Sequence, residues 1–179
     1  IMSNPSLLNP GPENNFSVMY QNVRGFVPFS SLGVTHPQLD MTKLLEFQSY
    51  VYEQEPDLIV LNETWLTKSH LDSEILDSAA YKIFRLDRTL KSHPMDPDHP
   101  TKYRKHGGGV LIAVRTTADI ESRVVETRCG AEILSVELKF SPHNVVCVST
   151  LYRVGTLGEK HRAEVEQYLT KMARMKKFN

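Results

Sequence analysis

The sequence has only two cysteines in 179 residues and no long apolar run. Cys129 and Cys147 do not have the spacing of a metal-binding pair, and two cysteines are too few for a disulfide framework in a chain of this length. We therefore expect reduced thiols and an intracellular protein. No segment approaches the ~20 apolar residues of a membrane span, and the N-terminus lacks a secretory pattern, so no membrane partner is expected.

The sequence also has no excess of either charge, because 21 Lys and Arg residues balance 21 Asp and Glu residues. A nucleic-acid partner therefore has to be argued from a local cluster of basic residues and not from the net charge. The content of 40% apolar and 23% charged residues is typical of a folded protein. The length predicts a single domain.

Residues 1–15 are rich in Pro, Gly, Asn and Ser, which cannot bury enough apolar surface to offset the entropy lost on ordering. We expect a flexible tail over 1–15 and a folded domain over 16–179. The domain is predicted to be α/β with sheets of mixed direction, because some strands are separated by a helix and others by short turns. Strands are predicted over 16–21, 57–62, 81–87, 110–115, 122–126, 132–140 and 144–152. Helices are predicted over 40–55 and over 159–176, the second with an apolar face of Val165, Tyr168, Leu169 and Met172.

A largely apolar strand over 57–62 delivers one carboxylate, Glu63, to its far end. The run is bounded by Pro56 and is typical of a central strand buried on both faces. Open sheets place their chemistry at the carboxyl ends of strands, so Glu63 would be held rigidly beside a crevice. A carboxylate in that position suits a hard cation such as Mg²⁺. An ordinary surface glutamate after a core strand is the alternative.

The segment 88–106 has the most unusual composition in the chain, since prolines interrupt it and basic residues and histidines outnumber acidic ones. We predict an irregular loop that contacts nucleic-acid phosphates, with an ordinary solvated loop as the alternative. The residues offered for this contact are Lys102, Arg104, Lys105 and His106. A metal site in the same segment is disfavoured, because flexible ligands separated by prolines lack the fixed spacing of such sites. Its ligands would be His93, Asp96, Asp98 and His99.

Four short motifs in a fixed order carry a resemblance to one enzyme superfamily. They are Asn-Val-Arg-Gly at 22–25, Glu-Thr-Trp-Leu at 63–66, Gly-Gly-Gly-Val-Leu-Ile-Ala-Val at 107–114 and Ser-Thr-Leu-Tyr-Arg at 149–153. Together they resemble the endonuclease/exonuclease/phosphatase superfamily, and within it the apurinic-endonuclease-like domain of non-LTR (LINE-type) retrotransposons. The resemblance implies part of a four-layer α/β sandwich, in which two packed mixed or antiparallel sheets are flanked by helices.

The resemblance also implies roles for individual residues. Glu63 corresponds to the glutamate that binds Mg²⁺ or Mn²⁺, Asn22 to the asparagine that supports the catalytic network beside the metal, and Tyr152 to the tyrosine whose hydroxyl contacts the scissile phosphate. Arg24, in the first motif, is a further candidate for contact with nucleic acid. The implied activity is metal-dependent hydrolysis of a DNA phosphodiester, which in retrotransposons primes reverse transcription. DNA is therefore the expected partner, and the nucleus is the expected location.

Two signatures of the superfamily are absent from the sequence. One is Gly-Asp-Phe-Asn, whose aspartate activates the water, and the other is Ser-Asp-His, whose histidine acts at the phosphate. We expect that the chain is the N-terminal portion of the domain, with an exposed sheet edge, and that a second copy or the missing C-terminal half completes it. The metal would then be held weakly. If the chain nicks DNA by itself, another acid, Asp57 or Asp87, must serve as the base.

Two other functions stay open. A catalytically silent remnant that binds nucleic acid or protein accounts for the absent signatures and for the basic segment. A phosphatase or phosphodiesterase of the same superfamily, like those that act on inositol phosphates or sphingomyelin, keeps the fold and changes the substrate. The amino-acid sequences of the motifs at 63–66 and 107–114 disfavour this last function.

Overall fold

The structure is a computed structural model that describes residues 16–31, 36–89, 107–125, 132–152 and 159–175. The tail predicted over 1–15 lies outside the described residues, as does most of the basic segment. The described elements form two sheets with helices packed on them, so the predicted α/β fold with mixed and antiparallel sheets is confirmed. None of the described helices is long and apolar enough to cross a membrane.

Four strands form the first sheet: β1 (Val18–Asn22), β2 (Leu58–Asn62), β3 (Tyr81–Leu86) and β4 (Val110–Arg115). Their order across the sheet is β1-β2-β4-β3. β1 is parallel to β2, because a helix connects them, whereas β4 is antiparallel to β2 and to β3. β2 and β4 lie in the middle and are buried almost along their whole length, as was predicted for β2 from its apolar sequence.

Helix α1 (Met41–Gln54) connects β1 to β2. Of the two capping residues that the sequence offers, Asp40 and Thr42, Asp40 caps its N-terminus by accepting a hydrogen bond from the Lys43 N–H at 3.2 Å. Glu55 ends the helix in a left-handed conformation with φ 42°, and its N–H donates to the Val51 carbonyl. A residue before a proline is disfavoured in the right-handed helical region, and Glu55, which precedes Pro56, lies outside that region.

Three strands form the second sheet, which is antiparallel: β5 (Glu121–Val125), β6 (Glu132–Ser141) and β7 (Asn144–Tyr152), with β6 in the middle. Helix α3 (Glu159–Met175) packs on this sheet, and Tyr168 is its buried anchor. Leu169 was predicted on the packed face, but it is 48% exposed. It lies about 100° around the helix from Tyr168 and so falls at the edge of the apolar stripe.

The layers of the molecule pack against one another through three apolar clusters. α1 and the short helix α2 (Asp72–Ile75) pack on one face of the first sheet, with Leu44, Phe47 and Val51 as the buried residues of α1. The other face of the first sheet packs against β6 of the second sheet. α3 packs on the outer face of the second sheet. The order helix, sheet, sheet, helix is the four-layer α/β arrangement that the resemblance implied.

β1 is an edge strand of the first sheet. Among the described residues it pairs only with β2, and Val18 and Tyr20 are 58% and 64% exposed. Only Met19 of this strand packs against the core. The predicted exposed sheet edge is therefore present. The strand that Asn22 ends is therefore not a buried one, since no described element covers the Tyr20 side of β1.

Six strand ends meet at one end of the sandwich. The register pairs Asn22 with Asn62, Asn62 with Val110, and Val110 with Leu86 in the first sheet. In the second sheet it pairs Glu132, which begins β6, with Tyr152, which ends β7. We call this end the site rim; it consists of Asn22, Asn62, Leu86, Val110, Glu132, Tyr152 and the residues next to them in the chain.

Asp57 stabilises the opposite end of the first sheet. Its Oδ2 accepts hydrogen bonds from the Ser17 N–H at 2.8 Å and the Ser17 hydroxyl at 2.9 Å, and its Oδ1 accepts from Arg115 Nε at 3.1 Å. Burial alone would raise the pKa of Asp57, but these hydrogen bonds and the charge of Arg115 outweigh burial and hold the pKa below its usual value. The ionised carboxylate thus joins the ends of β1, β2 and β4.

We expect Asp57→Asn to lower the free energy of unfolding by about 2–3 kcal/mol at neutral pH, because hydrogen bonds to charged groups contribute about 1.5–3 kcal/mol. The pKa of Asp57 in the folded protein lies below its value of about 3.9 in the unfolded chain. The stability that the Asp57 carboxylate contributes is therefore complete at pH values above about 3.9, and it is lost as the pH falls through the pKa of the folded state. Urea unfolding at neutral and acid pH measures the difference, with the exposed Asp119→Asn as control. An equal loss at both pH values would contradict the ionic role of Asp57.

Candidate active site

Glu63 leaves β2 in a left-handed conformation. Its φ is 56°, and Trp65 has φ 57°, values that are uncommon for residues with a Cβ and persist only where surrounding contacts hold them. Backbone hydrogen bonds provide those contacts here. The Gly25 N–H donates to the Glu63 carbonyl at 2.6 Å, and the Phe26 N–H donates to the Thr64 carbonyl at 2.9 Å. The loops that follow β1 and β2 therefore run side by side as one unit.

Gly25 is required by the close approach of these two loops. It has φ 83°, and a methyl group on its Cα would overlap the Trp65 ring. No other residue type combines this conformation with so little space. The first two sequence motifs, at 22–25 and 63–66, are thus two halves of one structural unit.

Asn22, Glu63 and Tyr152 come together at the site rim, because each lies at or directly after the end of a strand. Asn22 Nδ2 donates to Glu63 Oε1 at 3.0 Å, and Asn22 Oδ1 accepts from the Arg24 N–H at 3.1 Å, which fixes the orientation of the amide. The Tyr152 side chain lies beside the Glu63 carboxylate, which helps to raise the pKa of the Tyr152 hydroxyl. Three residues that are far apart in the sequence therefore surround one carboxylate. Their catalytic roles stay predictions.

Asn62, which precedes Glu63 in the chain, links the first sheet to the second by hydrogen bonds. Its side chain is buried between the sheets, where Nδ2 donates to the Tyr20 hydroxyl at 3.2 Å and to the Leu151 carbonyl at 3.4 Å. The Thr150 hydroxyl donates to Asn62 Oδ1. These bonds join the end of β2 to the end of β7, next to Tyr152. Sequence reasoning missed Asn62, although a polar residue that ends a fully apolar strand signals a buried hydrogen-bonding partner.

Tyr152 has a pKa above its ordinary value. Burial is the largest cause, and the charge of Glu63 and the hydrogen bond to it raise the pKa of Tyr152 further. The Arg88 guanidinium acts in the opposite direction, and its Cζ lies 5.5 Å from the centroid of the Tyr152 ring. The phenol therefore stays protonated at neutral pH and can donate a hydrogen bond.

Arg24 lies beside this cluster, in the loop after β1, and it is exposed. Its carbonyl accepts a hydrogen bond from Lys43 Nζ at 3.2 Å, so a second basic side chain lies on the same side of the site rim. The remaining residues that were offered for contact with nucleic acid, Lys102, Arg104, Lys105 and His106, lie outside the described residues. The same is true of the disfavoured metal ligands His93, Asp96, Asp98 and His99.

Asp57 and Asp87, the two acids named as a substitute base, lie at opposite ends of the first sheet. Asp57 precedes β2 and Glu63 follows it, so Asp57 is a strand length away from the cluster, and this candidate was wrong. Asp87 follows β3 at the site rim. Its Oδ2 lies 3.4 Å from Arg85 Nη2, and its buried Oδ1 has no hydrogen-bond partner in the described part of the chain. Burial raises the pKa of Asp87, which is the direction that suits a proton acceptor.

A buried ion pair behind Tyr152 was missed at the level of sequence. Nε and Nη2 of Arg88 bind the two carboxylate oxygens of Glu132, and the two side chains are 4% and 3% exposed. The sequence of β6 does indicate that Glu132 is buried. Its side chains alternate between the two faces of the sheet, and this alternation places Glu132 on the same face as the apolar residues that pack between the sheets. A carboxylate on such a face requires a partner of opposite charge.

The donor atoms around Glu63 suit a hard cation that is held mainly by water. Among the described residues, no group of three or more His, Cys, Asp and Glu side chains is placed to hold a metal ion. Glu63 offers one carboxylate, and the amide oxygen of Asn22 already accepts from the Arg24 N–H. Mg²⁺ keeps several waters and often takes only one or two protein carboxylates. The residues present therefore fit a weak Mg²⁺ or Mn²⁺ site.

Solved structures with a similar fold are found, whereas no protein-family model and no curated protein matches the chain. The AP endonuclease LMAP from Leishmania major has a TM-score of 0.51 and 14% identity over 88% of this chain. The human Nocturnin catalytic domain with bound sulfate anion has a TM-score of 0.50 and 13% identity over 89% of this chain. The endonuclease domain of TRAS1, a telomere-specific non-LTR retrotransposon, has a TM-score of 0.48 and 10% identity over 88% of this chain.

All three structures have folds of the endonuclease/exonuclease/phosphatase type. The chain covers 46% of LMAP, 54% of the TRAS1 domain and 59% of Nocturnin, so it spans about half the length of these structures. At identities of 10%, 13% and 14%, the likeness concerns the fold alone.

Proposed function

We propose that this chain, which has a fold of the endonuclease/exonuclease/phosphatase type, forms part of a metal-dependent site that nicks DNA by hydrolysis of a phosphodiester. Glu63 holds Mg²⁺ or Mn²⁺, Tyr152 contacts the scissile phosphate, and Asn22 keeps Glu63 in place. The observation that carries the proposal is the meeting of these three side chains around one carboxylate. The setting is a non-LTR retrotransposon that nicks its target in the nucleus.

The described side chains account for binding and for part of the charge stabilisation. Asn22, fixed by the Arg24 N–H, holds the carboxylate at the site rim, where a phosphate can approach. Tyr152, protonated at neutral pH, donates to a phosphate oxygen and stabilises the charge that develops there. The exposed Arg24 side chain attracts the DNA backbone. The metal ion, when bound, neutralises negative charge on the phosphate.

No acid in the described part of the site rim is both accessible to water and free of a charged or hydrogen-bonding partner, since the unbonded Oδ1 of Asp87 is buried. Glu132 binds Arg88, Glu63 binds Asn22 and Tyr152, and Asp87 lies against Arg85. Without a general base, hydrolysis loses a factor of about 10²–10⁴. We infer that a further segment, either a C-terminal half of the domain or a second copy, adds to the exposed edge of β1 and provides the base. Without that segment the chain binds nucleic acid and does not cut it.

Binding of a divalent cation tests the role of Glu63. Mn²⁺ should bind weakly to the wild type, because one carboxylate is the only charge that the described residues offer to it. We expect Glu63→Gln, which keeps the size of the side chain and removes the charge, to weaken Mn²⁺ binding at least about tenfold (~1.4 kcal/mol). Calorimetric titration is the measurement.

Glu53→Gln is the matched control for this titration. Glu53 is exposed in the last turn of α1, at the end of the sheet opposite the site rim, so its removal should leave Mn²⁺ binding unchanged. Unaltered binding in Glu63→Gln would place the metal elsewhere in the chain, with the segment 93–99 as the next candidate.

A further inference from the structure

The buried pair of Arg88 and Glu132 joins the two sheets at the site rim. Arg88 follows β3 in the first sheet, and Glu132 begins β6 in the second. Both side chains are more than nine-tenths buried, and the guanidinium binds both oxygens of the carboxylate. Apolar residues of similar volume often stabilise a fold as well as such a pair does, so stability alone does not explain it.

Arg88 contacts one side of the proposed site. Its Cζ lies 5.5 Å from the centroid of the Tyr152 ring, within the range in which a guanidinium is attracted to an aromatic face. Glu132 lies directly opposite Tyr152 in the register of β6 and β7. The pair therefore restricts where the Tyr152 ring can lie.

Glu132 contacts the other side of the site through the glycine turn that precedes β4. Its Oε2 accepts from the Gly109 N–H at 2.9 Å. The Gly109 carbonyl in turn accepts from the Thr64 N–H at 3.2 Å, and the Gly108 carbonyl accepts from the Trp65 N–H at 2.9 Å. These bonds hold Thr64 and Trp65, the two residues that follow Glu63. Glu63 and Trp65 both have left-handed conformations, which need such support.

Gly108 shows how closely the turn fits the pair. It has φ 66°, and a methyl group on its Cα would overlap both the Arg88 guanidinium and the Glu132 carboxylate. The backbone of the turn thus lies directly on the two charged groups. Only glycine allows that contact.

We propose that the Arg88–Glu132 pair is the positioning element of the site, which holds Tyr152 on one side and, through the glycine turn at 107–109, the loop that carries Glu63 on the other. The inference rests on the proposed function, because it concerns the same two residues. Arg88 and Glu132 are positioning residues, since they act through Tyr152 and through the backbone around Glu63. A pair that served stability alone would have no need to contact both.

The test is the double variant Arg88→Met/Glu132→Leu, which removes both charges and leaves neither one buried without a partner. We expect its melting temperature to stay within about 5 °C of the wild type. Mn²⁺ affinity, measured by calorimetry, should fall at least tenfold. The emission of Trp65, the single tryptophan, should shift, because its backbone N–H donates to the Gly108 carbonyl of the turn that Glu132 anchors.

The control is Arg123→Met/Glu137→Leu, which removes an ion pair between β5 and β6 whose arginine is 76% exposed and which lies away from Tyr152. It should change neither Mn²⁺ affinity nor Trp65 emission. A folded Arg88→Met/Glu132→Leu protein with wild-type affinity and emission would overturn the inference. If the wild type itself binds no Mn²⁺, the proposed function fails, and Trp65 emission still decides the positioning role.

A second variant covers the case in which the double variant does not fold. Arg88→Lys keeps the charge beside Glu132 and loses the planar fork and its contact with the Tyr152 ring. We expect this variant to fold, with a smaller loss of Mn²⁺ affinity than a tenfold change. Wild-type affinity and Trp65 emission in Arg88→Lys would count against a positioning role for Arg88.

Discussion

Replacement of Arg88 by methionine alone is expected to lower the free energy of unfolding by about 3–5 kcal/mol, because it leaves the carboxylate of Glu132 buried without its counter-charge. Glu132 is 3% exposed, so water cannot replace the guanidinium without opening the contact between the sheets. The Gly109 N–H is the only other donor described for this carboxylate, and one neutral hydrogen bond does not offset the loss of an ion pair. Arg88→Met should thus be far more damaging than a surface substitution.

The added change Glu132→Leu should recover most of that loss, since the second charge then no longer needs a partner. Urea unfolding of the single and double variants measures the coupling between the two residues. Arg123→Met is the matched control, because the exposed Arg123 forms a surface pair with Glu137 that contributes at most about 1 kcal/mol. A loss below about 1 kcal/mol in Arg88→Met would show that Glu132 finds another partner or takes up a proton.

The elements that follow from local pattern were predictable from sequence. α1 has a capping residue at Asp40, a buried stripe at three-to-four-residue spacing and a stop signal before Pro56, and it begins and ends within one residue of the prediction. β2 and β4 are apolar along their length and could not be placed anywhere except the middle of a sheet. The strand-end positions of Glu63 and Tyr152 likewise followed from the places where apolar patterns stop.

The features that depend on pairing across the two sheets were not predictable in the same way. Asn62 is satisfied by Thr150 and Leu151, and Glu132 is satisfied by Arg88, and no local rule states which distant residue will supply the bond. The alternation of side chains along β6 predicts that Glu132 is buried, but it does not predict which residue pairs with it. The exposure of β1 was not predictable for the same reason. Whether an edge strand is buried depends on the element that lies beside it, and the sequence of the strand does not specify that element.

The chain by itself is expected to nick supercoiled plasmid no faster than its Glu63→Ala variant. Glu63 and Tyr152 lie together, but the described site rim holds no acid that is both accessible and unpaired, and the lack of a general base costs a factor of about 10²–10⁴. DNA binding should be weak and should fall steeply with salt if the segment 88–106 contributes phosphate contacts. Nicking by the chain alone, abolished by Glu63→Ala, would instead point to Asp87 as the base.

Plasmid nicking in the presence of the completing segment tests most directly whether Glu63 is at the centre of a hydrolytic site. The segment would be the downstream part of the reading frame in the source transcript, fused to this chain or added to it, in buffer that contains Mg²⁺. We expect the wild type and Glu53→Gln to nick the plasmid, and Glu63→Gln to be slower by at least about 10²-fold. Equal nicking by Glu63→Gln and the wild type would contradict the assignment of the site to Asn22, Glu63 and Tyr152.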